Sequence, residues 1–337
     1  MTTGKRQDRV VYVGCTEAGF DLLRYVHEEL TVVDEVLTLT PEQGRANSVA
    51  GYFDYRSYAT REGIEVTTPQ TYSMNNEEDI GHFREQGGDV MIVHGWQRLI
   101  PGEILDCFTH GALGLHGSAF GLPKGRGRSP MNWSLIEGLD RFLLSLLHLD
   151  EGADSGGVIE TKKYDINIHD DIRTLYYKLV LATQEMLDDV LLDGLENGFD
   201  TETQDGEPTY YPKRGPEDGA IDWRDPTRVT YNLIRAVAAP YPGAFTEYDG
   251  EKVYIWDAQP FSPDFVFGSE PGTINKVFTP TDDFVVETSD GTLLVTDWEA
   301  DDWEPERGMT FTSLENDSID SPNRVDRYSH KDSLTGS

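Results

Sequence analysis

An alternation near the N-terminus restricts the fold more than any other feature. Arg9-Val10-Val11-Tyr12-Val13-Gly14 reads as a short buried strand, and Thr16-Glu17-Ala18-Gly19 leads into Phe20, Leu22, Leu23, Tyr25 and Val26 at helical spacing. Strand patterns return at residues 35–39, around 64–66 and at 89–93, with helical stretches between them. Strands that alternate with helices imply an α/β architecture built on a mostly parallel sheet. Such sheets bind ligands beyond the carboxyl ends of their strands.

The pattern changes in the second half. Residues 170–198 carry Ile172, Leu175, Tyr176, Leu179, Val180, Met186, Leu187, Val190 and Leu191, an apolar stripe for one long helix with Asp170 or Asp171 as its N-cap. Residues 199–219 are rich in Asp, Glu, Gly, Pro and Tyr and read as a linker. A helical stretch through Val229, Leu233, Ile234 and Val237 follows, then strand patterns at 252–256, 272–278, 284–288 and 292–297. Tyr248-Asp249-Gly250 and Ser289-Asp290-Gly291 supply turns between them, as in a small β-barrel. The division expected is a catalytic domain over 1–200, a linker over 201–220, a barrel domain over 221–312 and a polar, disordered tail over 313–337.

The 337 residues include 61 acidic and 28 basic side chains, a formal net charge of −33. The acidic residues are spread along the chain, and lysines are scarce. Such an even acidic coat suits a protein kept hydrated in high salt, so a halophilic source is expected. The charge counts against a nucleic-acid partner, which needs a basic footprint. No apolar run approaches the ~20 residues needed to cross a bilayer, so no membrane partner is expected. The first nine residues show no signal-peptide core. Two cysteines, Cys15 and Cys107, make no disulfide framework, which suits a reducing cytoplasm. The eight histidines do not cluster at metal-ligand spacings, so no metal is expected.

The stretch from 95 to 159 carries the chemistry. His116 follows the buried strand pattern at 112–115 and lands where a parallel sheet presents a ligand site. A glycine-rich loop holds Lys124, Arg126 and Arg128, in the order Lys-Gly-Arg-Gly-Arg; no Gly-Lys-Ser/Thr follows, so it is no Walker loop. Alone it reads equally as a solvated loop or an anion-binding one. Ser129-Pro130 is expected to cap the helix that holds Trp133, Leu135 and Ile136. A strand at 142–149 ends in a loop with Asp150, Glu151 and Asp154, so His116 and Asp154 could meet at adjacent strand ends. A carboxylate beside an imidazole raises its pKa and suits it to proton transfer near neutral pH. A lone strand-end histidine is more often structural, and Asp-Ser-Gly-Gly alone is a turn.

Taken together and in order, these stretches resemble the folate-dependent formyltransferase family. The motifs are Gly114-Leu115-His116-Gly117-Ser118, Leu122-Pro123, Arg126-Gly127-Arg128, Pro130 with Trp133, and Asp154-Ser155-Gly156. Pro212-Lys213-Arg214-Gly215-Pro216-Glu217-Asp218, Ile234-Arg235-Ala236-Val237 and Pro240-Tyr241-Pro242-Gly243-Ala244-Phe245 extend the resemblance into the second half. It implies a Rossmann-like α/β domain followed by an OB-like β-barrel domain. In this family an amine attacks the formyl carbon of 10-formyltetrahydrofolate through a tetrahedral oxyanion. His116 matches the catalytic histidine and Asp154 the aspartate that raises its pKa. Cofactor binding falls to Trp96, Arg98, Leu99, Ile100, Ser118, Leu122, Pro123 and Arg128 with the loop residues Asp150, Glu151, Gly152 and Ala153. Trp96 and Leu99 could otherwise be core residues, and Trp96 reads equally as one. Lys124, Arg126 and Asn132 are the acceptor-side candidates, the two cations for a diphosphate.

Four departures stand out. Gly114 occupies the position of the family's asparagine, which helps bind the oxyanion; losing one such donor costs about 10²–10³ in rate. Gln97, Asn132, Ser118 or a water are candidate replacements, and glycine leaves room for one of them. The loop from His116 to Leu122 is longer than usual. The strand before Asp154 begins Arg141-Phe142-Leu143-Leu144 without the usual Gly-x-Thr. The loop Thr40-Pro41-Glu42-Gln43-Gly44-Arg45-Ala46-Asn47 lacks the basic insertion with which the tRNA-modifying members grip their substrate. A small amine acceptor, most closely a nucleotide-linked amino sugar as in the UDP-4-amino-4-deoxyarabinose branch, is therefore expected ahead of methionyl-tRNA. The alternatives are methionyl-tRNA formyltransferase and a folate- or sugar-nucleotide-binding homologue with lost or reduced catalysis.

Overall fold

The computed structural model describes residues 8–314. Most of the tail expected to be disordered lies outside them. The chain forms two compact units that are not consecutive in sequence. The first comprises residues 1–126, 142–164 and 176–209, and the second residues 127–141, 165–175 and 210–337.

In the first unit, β1 (Val10–Val13) is buried along its whole length. This is what a strand covered on both faces requires, and it explains a continuous apolar run rather than an alternating one. It lies between β2 (Glu35–Leu37) and β4 (Val90–Val93), parallel to both, and β3 (Glu65–Thr67) extends the β2 side in parallel. On the other side β5 (Ala112–Ser118) runs parallel to β4. A two-residue strand, β6 (Arg126–Gly127), then precedes β7 (Arg141–His148), which turns antiparallel to β5 and pairs His116 with Ser145. With β8 (Gly157–Asp165) the sheet order is β3-β2-β1-β4-β5-β7-β8. The sheet is thus parallel up to β5, and β7 reverses direction against the strand that carries His116. Val11, Leu37, Met74, Phe83, Met91 and Ile104 belong to its buried core.

Local chemistry sets the helix starts. The Thr16 hydroxyl caps the helix Glu17–Tyr25 by accepting from Gly19 N. Thr40 and Gln43 form a reciprocal capping box for the helix Pro41–Ala46. At the long helix Ile172–Asn197 the cap is Asp171, whose Oδ1 accepts from Thr174 N at 2.7 Å, while Asp170 accepts from Asn167 N.

In the second unit the helix Pro130–Ile136 begins differently from the expectation. Proline is in its first turn, but Ser129 sits at φ +55° and its side chain makes no cap hydrogen bond. The left-handed backbone there aims the hydroxyl away from the helix amides. After β9 (Tyr210–Tyr211), the helix Thr227–Val237 precedes β10 (Ala244–Tyr248), β11 (Glu251–Pro260), β12 (Ile274–Phe278), β13 (Asp283–Glu287) and β14 (Thr292–Glu299). These five form one antiparallel sheet in the order β10-β11-β14-β13-β12. A returning segment covers both edges: Met309 O accepts from Ile274 N on β12, and Thr312 N donates to Glu247 O on β10. Trp223, Phe284, Phe311 and Trp303 fill the interior.

Candidate functional site

His116 lies within β5, not after it, because that strand runs three residues beyond the four expected from its apolar pattern. Side chains alternate along a strand, so Gly114, His116 and Ser118 share one face. The chain leaving β7 returns over that face and brings Asp154 to the imidazole. Nδ1 of His116 is 3.2 Å from Asp154 Oδ1, and Nε2 is 2.8 Å from the carbonyl oxygen of Gly125. Both partners can only accept, so the arrangement fits a ring with a proton on each nitrogen. Burial opposes that charge. The charge of Asp154 and its hydrogen bond, helped by Gly125, outweigh burial and the repulsion of Arg126, and the pKa is raised. Held between two acceptors, the ring fits the role of a proton donor.

The turn that presents Asp154 is shaped by two backbone constraints. Asp154 adopts φ +54°, which aspartate tolerates better than most residues. A Cβ on Gly156 would collide with the carbonyl oxygen of His148, so only glycine fits there. Asp150 braces the same loop by accepting from Gly152 N at 3.0 Å and from Ser155 Oγ at 2.7 Å. Asp150, Glu151 and Gly152 are exposed and Ala153 half-buried.

Gly114 has less room than its sequence context implied. A Cβ there would meet the Leu149 side chain at 2.5 Å. Leucine, not a vacant space, occupies the position toward which an asparagine would point. Of the candidate replacement donors, Ser118 Oγ donates to Lys124 O and accepts from Phe120 N, which ties down the loop. Gln97 Nε2 reaches Ala50 O. Asn132 is buried in the second unit, where its Nδ2 donates to Ala236 O at 2.7 Å. That bond fastens the helix Pro130–Ile136 to the helix Thr227–Val237, a packing role.

The segment after β4 lies at the carboxyl end of a parallel strand. Trp96 is buried, and its Nε1 has no hydrogen-bond partner among the described residues. Its ring meets Tyr72 edge-on at 4.7 Å, and the Arg98 guanidinium lies over the Tyr72 ring at 4.7 Å. Ile100 is buried whereas Leu99 is 58 % exposed. Trp96 belongs to the buried hydrophobic core of this unit, and the exposed Leu99 is the member of the segment open to a ligand. In the glycine-rich loop Leu122 is half-buried, Pro123 and Arg126 are buried, and Lys124 is exposed. Arg128 is half-buried in the second unit, where its N donates to Tyr211 O.

Sequence reasoning missed two residues. His94 follows β4, is fully enclosed, and is pushed down by burial to about 4, so it is neutral. Gln204, in the stretch read as linker, contacts both the basic loop and the Asp154 turn. No group of three or more metal-ligating side chains occurs among the described residues.

Residues 49–191 match the family model described as formyl transferase, and residues 213–313 match the formyl transferase C-terminal domain. The methionyl-tRNA formyltransferase of Caldanaerobacter subterraneus subsp. tengcongensis is 31 % identical over 288 residues, 85 % of this chain and 90 % of the relative. The chain belongs to the formyltransferase family. Among solved structures, HypX from Aquifex aeolicus in complex with tetrahydrofolic acid aligns with a TM-score of 0.62 at 18 % identity. That alignment covers 88 % of this chain but only 44 % of HypX, so this formyltransferase chain spans less than half of that protein. The Helicobacter canadensis N-formyltransferase, solved with folinic acid and dTDP-3-aminofucose, aligns with a TM-score of 0.59 at 15 % identity over 86 % of this chain and 99 % of its own. Both share the formyltransferase fold.

Proposed function

We propose that the chain transfers a formyl group from 10-formyltetrahydrofolate to the primary amine of a nucleotide-linked amino sugar. The observation that carries the chemistry is His116, held between the Asp154 carboxylate and the Gly125 carbonyl. Trp96, Arg98, Leu99 and Ile100 would hold the folate ring, with the loop of Asp150, Glu151, Gly152 and Ala153 beside it. Leu122, Pro123, Ser118 and Arg128 are the remaining cofactor-side candidates. When bound, 10-formyltetrahydrofolate supplies the formyl carbon. His116 would present an N–H to the developing oxyanion or give its proton to the departing nitrogen, the proton shed by the attacking amine restoring it, and Asp154 stabilises the ring while it is charged. Lys124, exposed, and Arg126 are placed on the acceptor side as anion-binding groups.

The surface supports a small acceptor. On the 40–47 segment the one cation, Arg45, pairs with Glu42 at 3.3 Å instead of standing ready for phosphates. A net charge of −33 leaves little with which to hold a tRNA backbone. One observation favours methionyl-tRNA instead: the 31 %-identical relative is named for that reaction. Incubation with 10-formyltetrahydrofolate and either amino-sugar nucleotides or methionyl-initiator tRNA in high salt decides between them. Formylated sugar, lost by about 10²–10⁴ in His116→Ala and Asp154→Asn, is the expected result. Formyl-methionyl-tRNA alone overturns the acceptor, and no loss in either variant overturns the assigned roles.

A further inference from the structure

We infer that Gln204 is a positioning residue whose one carboxamide holds the Asp154 turn on one side of His116 and, on the other, Arg126, the neighbour of Gly125. The inference rests on the reading of His116 as the acid. Gln204 Oε1 accepts from Arg126 Nη2 at 2.7 Å and from Nε at 3.2 Å. Its Nε2 donates to the backbone oxygens of Asp154 at 2.9 Å and Gly156 at 2.7 Å. A guanidinium only donates and a carbonyl only accepts, so the amide has one orientation and uses both ends. On one side it fastens the turn whose carboxylate faces Nδ1. On the other it fastens Arg126, whose preceding residue, Gly125, supplies the carbonyl at Nε2. Thr209 reinforces that side: its Oγ1 accepts from Gly125 N and its carbonyl from Arg126 N, each at 2.9 Å. The charged groups acting on His116 are Asp154 and Arg126, and Gln204 touches both residues.

The test is an NMR titration of the His116 ring, assigned through His116→Ala, in the full chain and in Gln204→Ala and Gln204→Met. The methionine variant keeps the volume and removes all four hydrogen bonds, so it covers the case in which the alanine variant fails to fold. With the turn released, Asp154 supports the ring less, and the midpoint falls by about one pH unit in both variants. The basic limb of kcat/KM moves with it, while KM for the formyl donor changes little. An unmoved midpoint in a folded variant overturns the inference even where formyl transfer is intact. A moved midpoint in a chain that transfers no formyl group overturns the proposed function and leaves Gln204 in its role.

Discussion

His94 links the interior of the first unit to pH. Its backbone N donates to Val13 O at 2.9 Å, and its Nδ1 is buried with no hydrogen-bond partner among the described residues. Burial lowers its pKa from 6.5 to about 4. The unfolded chain therefore binds a proton that the folded chain refuses. Stability from this group is complete above the unfolded value and is lost as pH falls toward the folded one. Between about pH 7.5 and 5.5 the loss is roughly 1.3 kcal/mol for this one ring, from the two pKa values and proton linkage. His94→Leu removes the titration with little change of volume. Urea unfolding of both proteins at the two pH values, at fixed salt, measures the difference in slope. The wild type should lose about 1.3 kcal/mol more than the variant. Equal losses would show that the ring finds a proton partner in the folded state, and the argument from burial would fail.

Three further outcomes are expected. Gly114→Asn alone should not raise formyl transfer and should lower stability by about 1–3 kcal/mol, because Leu149 occupies the space; adding Leu149→Ala should recover stability, and a faster single variant would refute this. Gly156→Ala should cost about 1–3 kcal/mol and displace Asp154, since its Cβ meets the His148 carbonyl; unchanged thermal stability and activity would contradict the close approach. For a chain of net charge −33 the melting temperature should rise between dilute buffer and molar potassium chloride; a melting temperature indifferent to salt would remove the case for salt adaptation.

What could be read from the residues follows from how local each feature is. The α/β pattern was readable because β1 is buried on both faces and its flanking helix begins at a threonine cap. The meeting of His116 and Asp154 was suggested by strand-then-loop patterns alone. Gln204 was not readable: its role arises from closing a span of 50 residues onto Asp154, from a segment whose composition resembles a linker. Leu149 over Gly114 was hidden for a related reason, since the register of β5 on β7 decides which side chain returns over which glycine. The Ser129 cap failed because a positive φ, which leaves no mark in a Ser-Pro pair, turned the hydroxyl away.

The short run from Met309 to Thr312 touches both edge strands of the five-stranded sheet at once. A truncation there would break the bridges at two strand edges in one cut and leave those edges bare on a small domain, the usual template for intermolecular stacking. A protease that clips just before Met309 should therefore convert a dispersed protein into an aggregating one.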